Sequence, residues 1–175
     1  MSDIKIKDNF LDQKDFEEIQ TLIFGRDFSW KYGESIDYQD EDGDKFQFAH
    51  LFYGARCPTS NHRVVLNPIF DKIQPTAIWR IKANLLTRTP KIIENAYHND
   101  VANYDYNGGK KEKLKQLTTA IFYVNTNNGY TKFENGPIVE SVANRMVFFS
   151  ADMKHTGTSC TDEKTRVVIN FNYFK

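Results

Sequence analysis

Arg166-Val167-Val168-Ile169-Asn170-Phe171 is the stretch on which the fold of this chain turns. Its β-branched residues favour a strand. In a strand alternate side chains share a face, which groups Arg166, Val168 and Asn170. An arginine heading such a run is either an edge-strand charge or a buried cation, and a buried cation demands an anionic partner.

Working outward, Thr118–Asn125 and Val142–Ser150 read as two further strands, with Asn127-Asn128-Gly129 and Asn135-Gly136-Pro137 as turn signals between them. Upstream, residues 46–53, Ile78–Leu86 and Tyr97–Val101 read as strands. Residues 8–24 carry Phe16, Ile19, Leu22 and Ile23 at helical spacing behind Asp12 as N-cap, with Glu17 and Glu18 outward. Pro68 suits the first turn of a short helix over 67–73, with Ile69, Phe70 and Ile73 inward. Residues 31–45 are acidic and read as an exposed turn; residues 103–115, Asn/Asp/Gly-rich and then lysine-rich, read as a loop. A helical region followed by many short strands predicts one mainly β domain with flanking helices (α+β) over residues 1–175. The expected architecture is a double-stranded β-helix, a cupin-like jelly roll carrying its helices on one outer face.

The 175 residues suffice for one domain with a substantial core. The 23 basic and 23 acidic residues cancel, so no global field recruits nucleic acid or an anionic membrane. Cys57 and Cys160 lack the paired spacing of a zinc knuckle or a disulfide framework. No apolar stretch approaches a membrane span, and Met1-Ser2-Asp3-Ile4-Lys5 lacks a signal-peptide core, so a cytoplasmic protein is expected. Nothing in the sequence bears on oligomeric state.

Three residues carry the chemistry: His98, Asp100 and His155. On a strand His98 and Asp100 would project to the same side, while His155 must arrive from a distant element. Taken alone, His-x-Asp reads first as a surface histidine beside a solvated carboxylate. Its weight comes from His155 beyond the apolar run Met146-Val147-Phe148-Phe149, and from Arg166 opening the next strand. Two imidazoles and one carboxylate on one side of an ion leave the opposite side open, which suits non-haem Fe(II) and oxygen chemistry. An arginine deeper in the barrel could hold a carboxylate-bearing co-substrate with a two-pronged hydrogen bond.

With these residues in place, the chain resembles the Fe(II)- and 2-oxoglutarate-dependent dioxygenases, in their prolyl 4-hydroxylase-like branch. The resemblance rests on His98-x-Asp100, Thr119–Asn125, Gly129-Tyr130-Thr131-Lys132-Phe133, Asn144–Phe149, His155 and Arg166, in that order. It implies that His98, Asp100 and His155 bind Fe(II) and that Arg166 pairs with the distal carboxylate of 2-oxoglutarate. It also implies that Tyr123 helps hold that carboxylate, that Asn170 takes a position where relatives carry threonine, and that Asn84 could reach the co-substrate. As structural alternatives, Tyr123 is a barrel-core tyrosine and Asn84 satisfies a backbone group. The chain departs from the pattern at Leu85 and Leu86, where many relatives place a co-substrate-binding tyrosine, and in having Asn128-Gly129 where two glycines are usual.

The implied reaction consumes O2 and 2-oxoglutarate, releases succinate and CO2 and hydroxylates a substrate, with ascorbate (hence L-ascorbic acid binding) as accompanying reductant. A carboxylate ligand at Asp100 argues for hydroxylation over halogenation. A prolyl or other peptidyl residue is the first choice of substrate, with segments 50–62 and 103–115 expected around the mouth. A small-molecule substrate or nucleobase demethylation stands as the alternative within the superfamily. Lys110, Lys111, Lys113 and Lys115, even beside Tyr104 and Tyr106, read as a solvated loop before a nucleic-acid contact. From another class, the chain could be a non-catalytic jelly-roll binding module that uses the metal structurally or recognises a sugar. A structural metal would want a fourth protein ligand, in whose place only Asp152 or a water offers itself. A structural zinc hydrolase, the third reading, would leave Arg166 no reason to sit in the barrel.

Overall fold

The strand read first from the sequence is the centre of the molecule. In the computed structural model, which describes residues 4–36, 45–101 and 115–175, it extends over Thr165–Phe174 and all but its two end residues are buried. In chain order the elements are β1 (Lys5–Lys7), α1 (Gln13–Ile23), β2 (Lys31–Gly33), β3 (Gln47–Gly54), β4 (Cys57–Pro58), a 3-10 helix (Asn61–Leu66) and α2 (Asn67–Ile73). Then follow β5 (Ala77–Thr87), β6 (Leu117–Tyr123), β7 (Tyr130–Phe133), β8 (Ile138–Glu140), β9 (Arg145–Ser150), β10 (His155–Gly157) and β11 (Thr165–Phe174).

The large sheet runs β1-β9-β6-β11-β5-β3-β2, with β4 added to β3, and the small sheet runs β10-β7-β8. All pairings are antiparallel. This is the expected jelly-roll architecture, mainly β, with both helices on one outer face. The reason is the alternation along β11. Val167, Ile169, Phe171 and Tyr173 join Phe16, Ile19 and Ile23 of α1 and Ile69 of α2 in the main core. Val168 faces the other way, into a second core between the sheets with Ile121, Tyr123, Phe133, Val147 and Phe149. Arg166 and Asn170 share the Val168 side.

Local expectations fare unevenly. The first helix is shorter than the 8–24 reading, and Asp12 stands at its N-cap with no side-chain cap bond; only its carbonyl is used, by Phe16 N at 3.0 Å. Asn67–Ile73 is helical with Pro68 in the first turn, as expected. Tyr97–Val101 is not a strand, contrary to the sequence reading. Only His98 pairs, in a single bridge with His155, and the chain turns at Asp100. The bridges Glu94–Thr158 and His98–His155 set four steps of chain against three, so the ladder cannot run on between them. The short strands β1, β2, β4, β7, β8 and β10 have no periodic signal long enough to read. The acidic stretch 37–44 and most of the 103–115 loop, with Lys110, Lys111, Lys113, Tyr104 and Tyr106, lie outside the described residues. Among the described residues, no helix is long and apolar enough to cross a membrane.

One side chain ties the N-terminal segment to the barrel. Buried Asn144, at φ 60°, accepts from Leu11 N and donates to Leu11 O, both at 2.8 Å. Asparagine tolerates this left-handed backbone where most residues do not. Asn144→Ala, which strands both Leu11 groups and adds backbone strain, is expected to lower stability by about 2–4 kcal/mol. Urea unfolding monitored by circular dichroism checks this.

Candidate metal centre

The bridge between His98 and His155 is what brings the distant histidine to the first. Each donates its backbone N–H to the other's carbonyl at 3.0 Å, and the two imidazoles stand 5.0 Å apart, centre to centre. The chain then turns and delivers Asp100. Its Oδ1 lies 3.8 Å from His98 Nε2 and 3.9 Å from His155 Nε2. One ligand atom from each of the three residues falls within 4.8 Å of the others.

Both imidazoles are set in the tautomer a metal requires. His98 Nδ1 lies 3.1 Å from Ala96 O and His155 Nδ1 lies 3.3 Å from Met153 O. A carbonyl only accepts, so each Nδ1 carries a hydrogen and each Nε2 is the nitrogen turned toward Asp100, where it can offer a lone pair to a metal. Phe149 packs edge-on against the His155 ring, with centres 4.8 Å apart. No other His, Cys, Asp or Glu joins the three among the described residues, and Asp152 is not one of the group. A three-ligand nitrogen and oxygen set leaves positions open, as catalytic sites do and closed structural sites do not.

Asp100 is held from below by the β5–β11–β6 surface. Asn170 Nδ2 donates to both carboxylate oxygens at 3.2 Å, and Asn172 Nδ2 donates to Oδ2 at 3.2 Å. Asn172 also donates to Thr119 Oγ1 and accepts from Arg80 Nε, while Arg80 Nη2 lies 3.6 Å from Asp100 Oδ1. Burial works to raise the Asp100 pKa. His155, Arg80 and His98, with the Asn172 amide, outweigh it and bring the value down to about 2. The carboxylate is therefore ionised and fixed in place.

The candidate cofactor residues divide. Asn170 spends its amide on Asp100, and its Oδ1 is buried without a hydrogen-bond partner; Asn84 Oδ1 is in the same condition. Both residues line a cavity of about 330 Å³ that also contains the three ligands and Arg166. Arg166 is 4% exposed and has no acidic partner among the described residues. Its Nε donates to Ser141 Oγ at 2.8 Å and its Nη2 to Thr131 Oγ1 at 3.2 Å. Burial lowers its pKa, as expected for a cation with no counter-charge. Tyr123, fully buried and outside the cavity wall, donates to the same Thr131 Oγ1 at 2.8 Å. With both lone pairs of that hydroxyl engaged, its hydrogen is left to donate onward. Thr131 and Ser141 are residues that sequence reasoning did not assign to the site.

Gly129 makes room for the Arg166 side chain, and Gly157 lies beside its guanidinium. A Cβ on Gly129 would stand 2.7 Å from Arg166 Cδ and 2.7 Å from Ser159 O; one on Gly157 would stand 3.4 Å from Arg166 Nη1. The single glycine of Asn128-Gly129 is thus the one that Arg166 requires. Leu86 lines the cavity, while Leu85 packs on the main core. Residues 50–62, expected at the mouth, do not line this cavity; Ile36, Gln47 and Trp79 do. Leu51, Gly54, Ala55 and Arg56 instead form a separate depression with Trp79 and Arg80. His50 is buried in hydrogen bonds to Ser29 O and Ser60 Oγ, at 2.7 and 2.8 Å.

No family model and no curated protein matches the sequence. Solved structures do. A prolyl hydroxylase from Trichoplax adhaerens, in complex with a hypoxia inducible factor oxygen degradation domain peptide fragment, superposes with a TM-score of 0.66 at 14% identity, over 98% of this chain and 83% of that one. A 2OG-Fe(II) oxygenase family oxidoreductase from Burkholderia pseudomallei gives 0.65 at 11% identity, over 97% and 84%. The non-heme alpha ketoglutarate dependent epimerase SnoN from nogalamycin biosynthesis gives 0.61 at 10% identity, over 99% and 79%. The chain has the fold that these oxygenases share.

Proposed function

We propose that this protein is an Fe(II)- and 2-oxoglutarate-dependent dioxygenase, an oxidoreductase that hydroxylates an organic substrate with release of succinate and CO2. One observation carries the reading. Arg166 is a buried guanidinium with unused N–H donors and no carboxylate of its own, in the same cavity as an open three-ligand cluster. A dicarboxylate that chelates the ion at one end supplies the missing anion at the other. The residues fit both groups: lone pairs on two imidazoles and a carboxylate for the metal, and the Arg166 fork with the Thr131 hydroxyl for the distal carboxylate.

When bound, iron supplies oxygen activation coupled to decarboxylation of the co-substrate. The chain supplies placement. Arg166 and Thr131 bind the co-substrate carboxylate, and Tyr123 points the Thr131 hydroxyl hydrogen away from itself by taking a lone pair. Asn170, Asn172 and Arg80 keep Asp100 ionised and oriented. Phe133 and Phe149 flank the His155 ring and keep water from it. The peptide held by the Trichoplax neighbour favours a prolyl or other peptidyl substrate, and the epimerase neighbour keeps a small molecule in view.

Incubation with Fe(II), 2-oxoglutarate and ascorbate, followed by succinate, decides the class. Turnover that rises with a peptide or small-molecule substrate is expected; none with any substrate marks a non-catalytic jelly-roll module. Asp100→Ala and His155→Ala are each expected to abolish stoichiometric Fe(II) uptake in equilibrium dialysis while the circular dichroism spectrum is retained. Arg166→Lys replaces a planar fork with a point charge and should weaken 2-oxoglutarate binding by about 10- to 100-fold, read by calorimetry.

A further inference from the structure

Lys82 is the charged cavity residue to which the arrangement above gives no task. It stands on β5 opposite Asn170 of β11, in a row with Arg80, Asn84 and Leu86 along the cavity wall. Its side chain is partly buried. That burial, with Arg80 beside it, lowers its pKa, against the pull of Asp100. Among the described residues no hydrogen bond or ion pair holds its ammonium. Arg80, by contrast, is anchored on Asn172 and leans on Asp100. A partly buried ammonium whose nearest carboxylate is already shared with Arg80 and two amides has donors left for an anionic ligand.

On the reading above neither co-substrate carboxylate is left over for Lys82, since one goes to Arg166 and the other to the ion. Arg166 pairs in register with Leu86, and Asn170 with Lys82. Four residues of strand span ~13 Å, whereas the carboxylate carbons of a five-carbon dicarboxylate are ~5 Å apart by ordinary bond lengths. Ser141 and Thr131 pin Arg166 at its own end. With a divalent ion and a dianionic co-substrate both in place, Lys82 and Arg80 still leave the metal end of the cavity with surplus positive charge. An uncharged prolyl ring would leave that charge unmatched.

We infer that the substrate carries an oxyanion, a carboxylate or a phosphate, which Lys82 binds with Arg80 beside it. The inference rests on the co-substrate reading above, which commits Arg166 to 2-oxoglutarate and leaves Lys82 for substrate. It narrows the substrate from any hydroxylatable residue to one bearing or adjoining an acidic group.

The test is calorimetry on the Mn(II)-loaded protein, without oxygen and saturated with 2-oxoglutarate. N-acetyl-L-aspartate is titrated against N-acetyl-L-asparagine, and glycerol 3-phosphate against glycerol. The acidic member of at least one pair is expected to bind at least about tenfold more tightly, and the pair that shows it separates carboxylate from phosphate. Lys82→Met should bring that preference to within about twofold and Lys82→Arg should keep it, with 2-oxoglutarate affinity unchanged in both. The inference is overturned if neither pair shows a preference, if the preference survives Lys82→Met, or if Lys82→Met chiefly weakens 2-oxoglutarate. Should the wild type take up no 2-oxoglutarate, the dioxygenase reading fails by itself. The paired titrations then still decide whether Lys82 is an anion site.

Discussion

The rest of the site is arranged around one constraint: a carboxylate, Asp100, is kept ionised although its side chain is 4% exposed. Removing a carboxylate from water costs several kcal/mol, so the protein must return the lost hydration in other forms. It does so with three amide hydrogen bonds from Asn170 and Asn172, a guanidinium at 3.6 Å and two imidazoles. This explains why β11, otherwise a run of Val, Ile, Phe and Tyr, carries two asparagines on its cavity side. Each would weaken an ordinary buried strand; here they are the solvent for a charge.

Much of this was legible in the residue order. The alternation that groups Arg166, Val168 and Asn170 is a property of the strand, and all three do line one cavity. The helix over α1 and the proline-started α2 follow from periodicity and from the fixed φ of proline. Other features were hidden for physical reasons. The bond from Asn170 to Asp100 was hidden because the two lie 70 positions apart, and long-range hydrogen bonds leave no local trace. Thr131 and Ser141 carry common hydroxyls that mean little until a guanidinium reaches them. Lys82 reads in sequence like any strand lysine; its meaning is its burial.

Tyr97–Val101 shows how a correct pairing can come from an incorrect element. Period-2 reasoning placed His98 and Asp100 together on a strand. The structure joins them through one bridge and a turn, because the ladder beside β10 is out of step by a residue. The geometry of the three-residue cluster therefore depends on the backbone bonds between two histidines and on the amides that hold Asp100, rather than on a continuous sheet.

A cation held by the three residues would be part of the architecture of the barrel rim. His98 and Asp100 belong to a segment tied to β10 and Thr158 by two bridges and the Asn95 bonds, and to β11 by the amides on Asp100, whereas the eight-stranded sheet is secured by its own cores. A bound cation would clamp that rim, since anything that prefers the closed form stabilises it by mass action. Without the cation, the amides of His98 and His155 would be expected to exchange sooner than those of the central strands. Loss of metal would then register as local fraying at the mouth, with the barrel itself still folded.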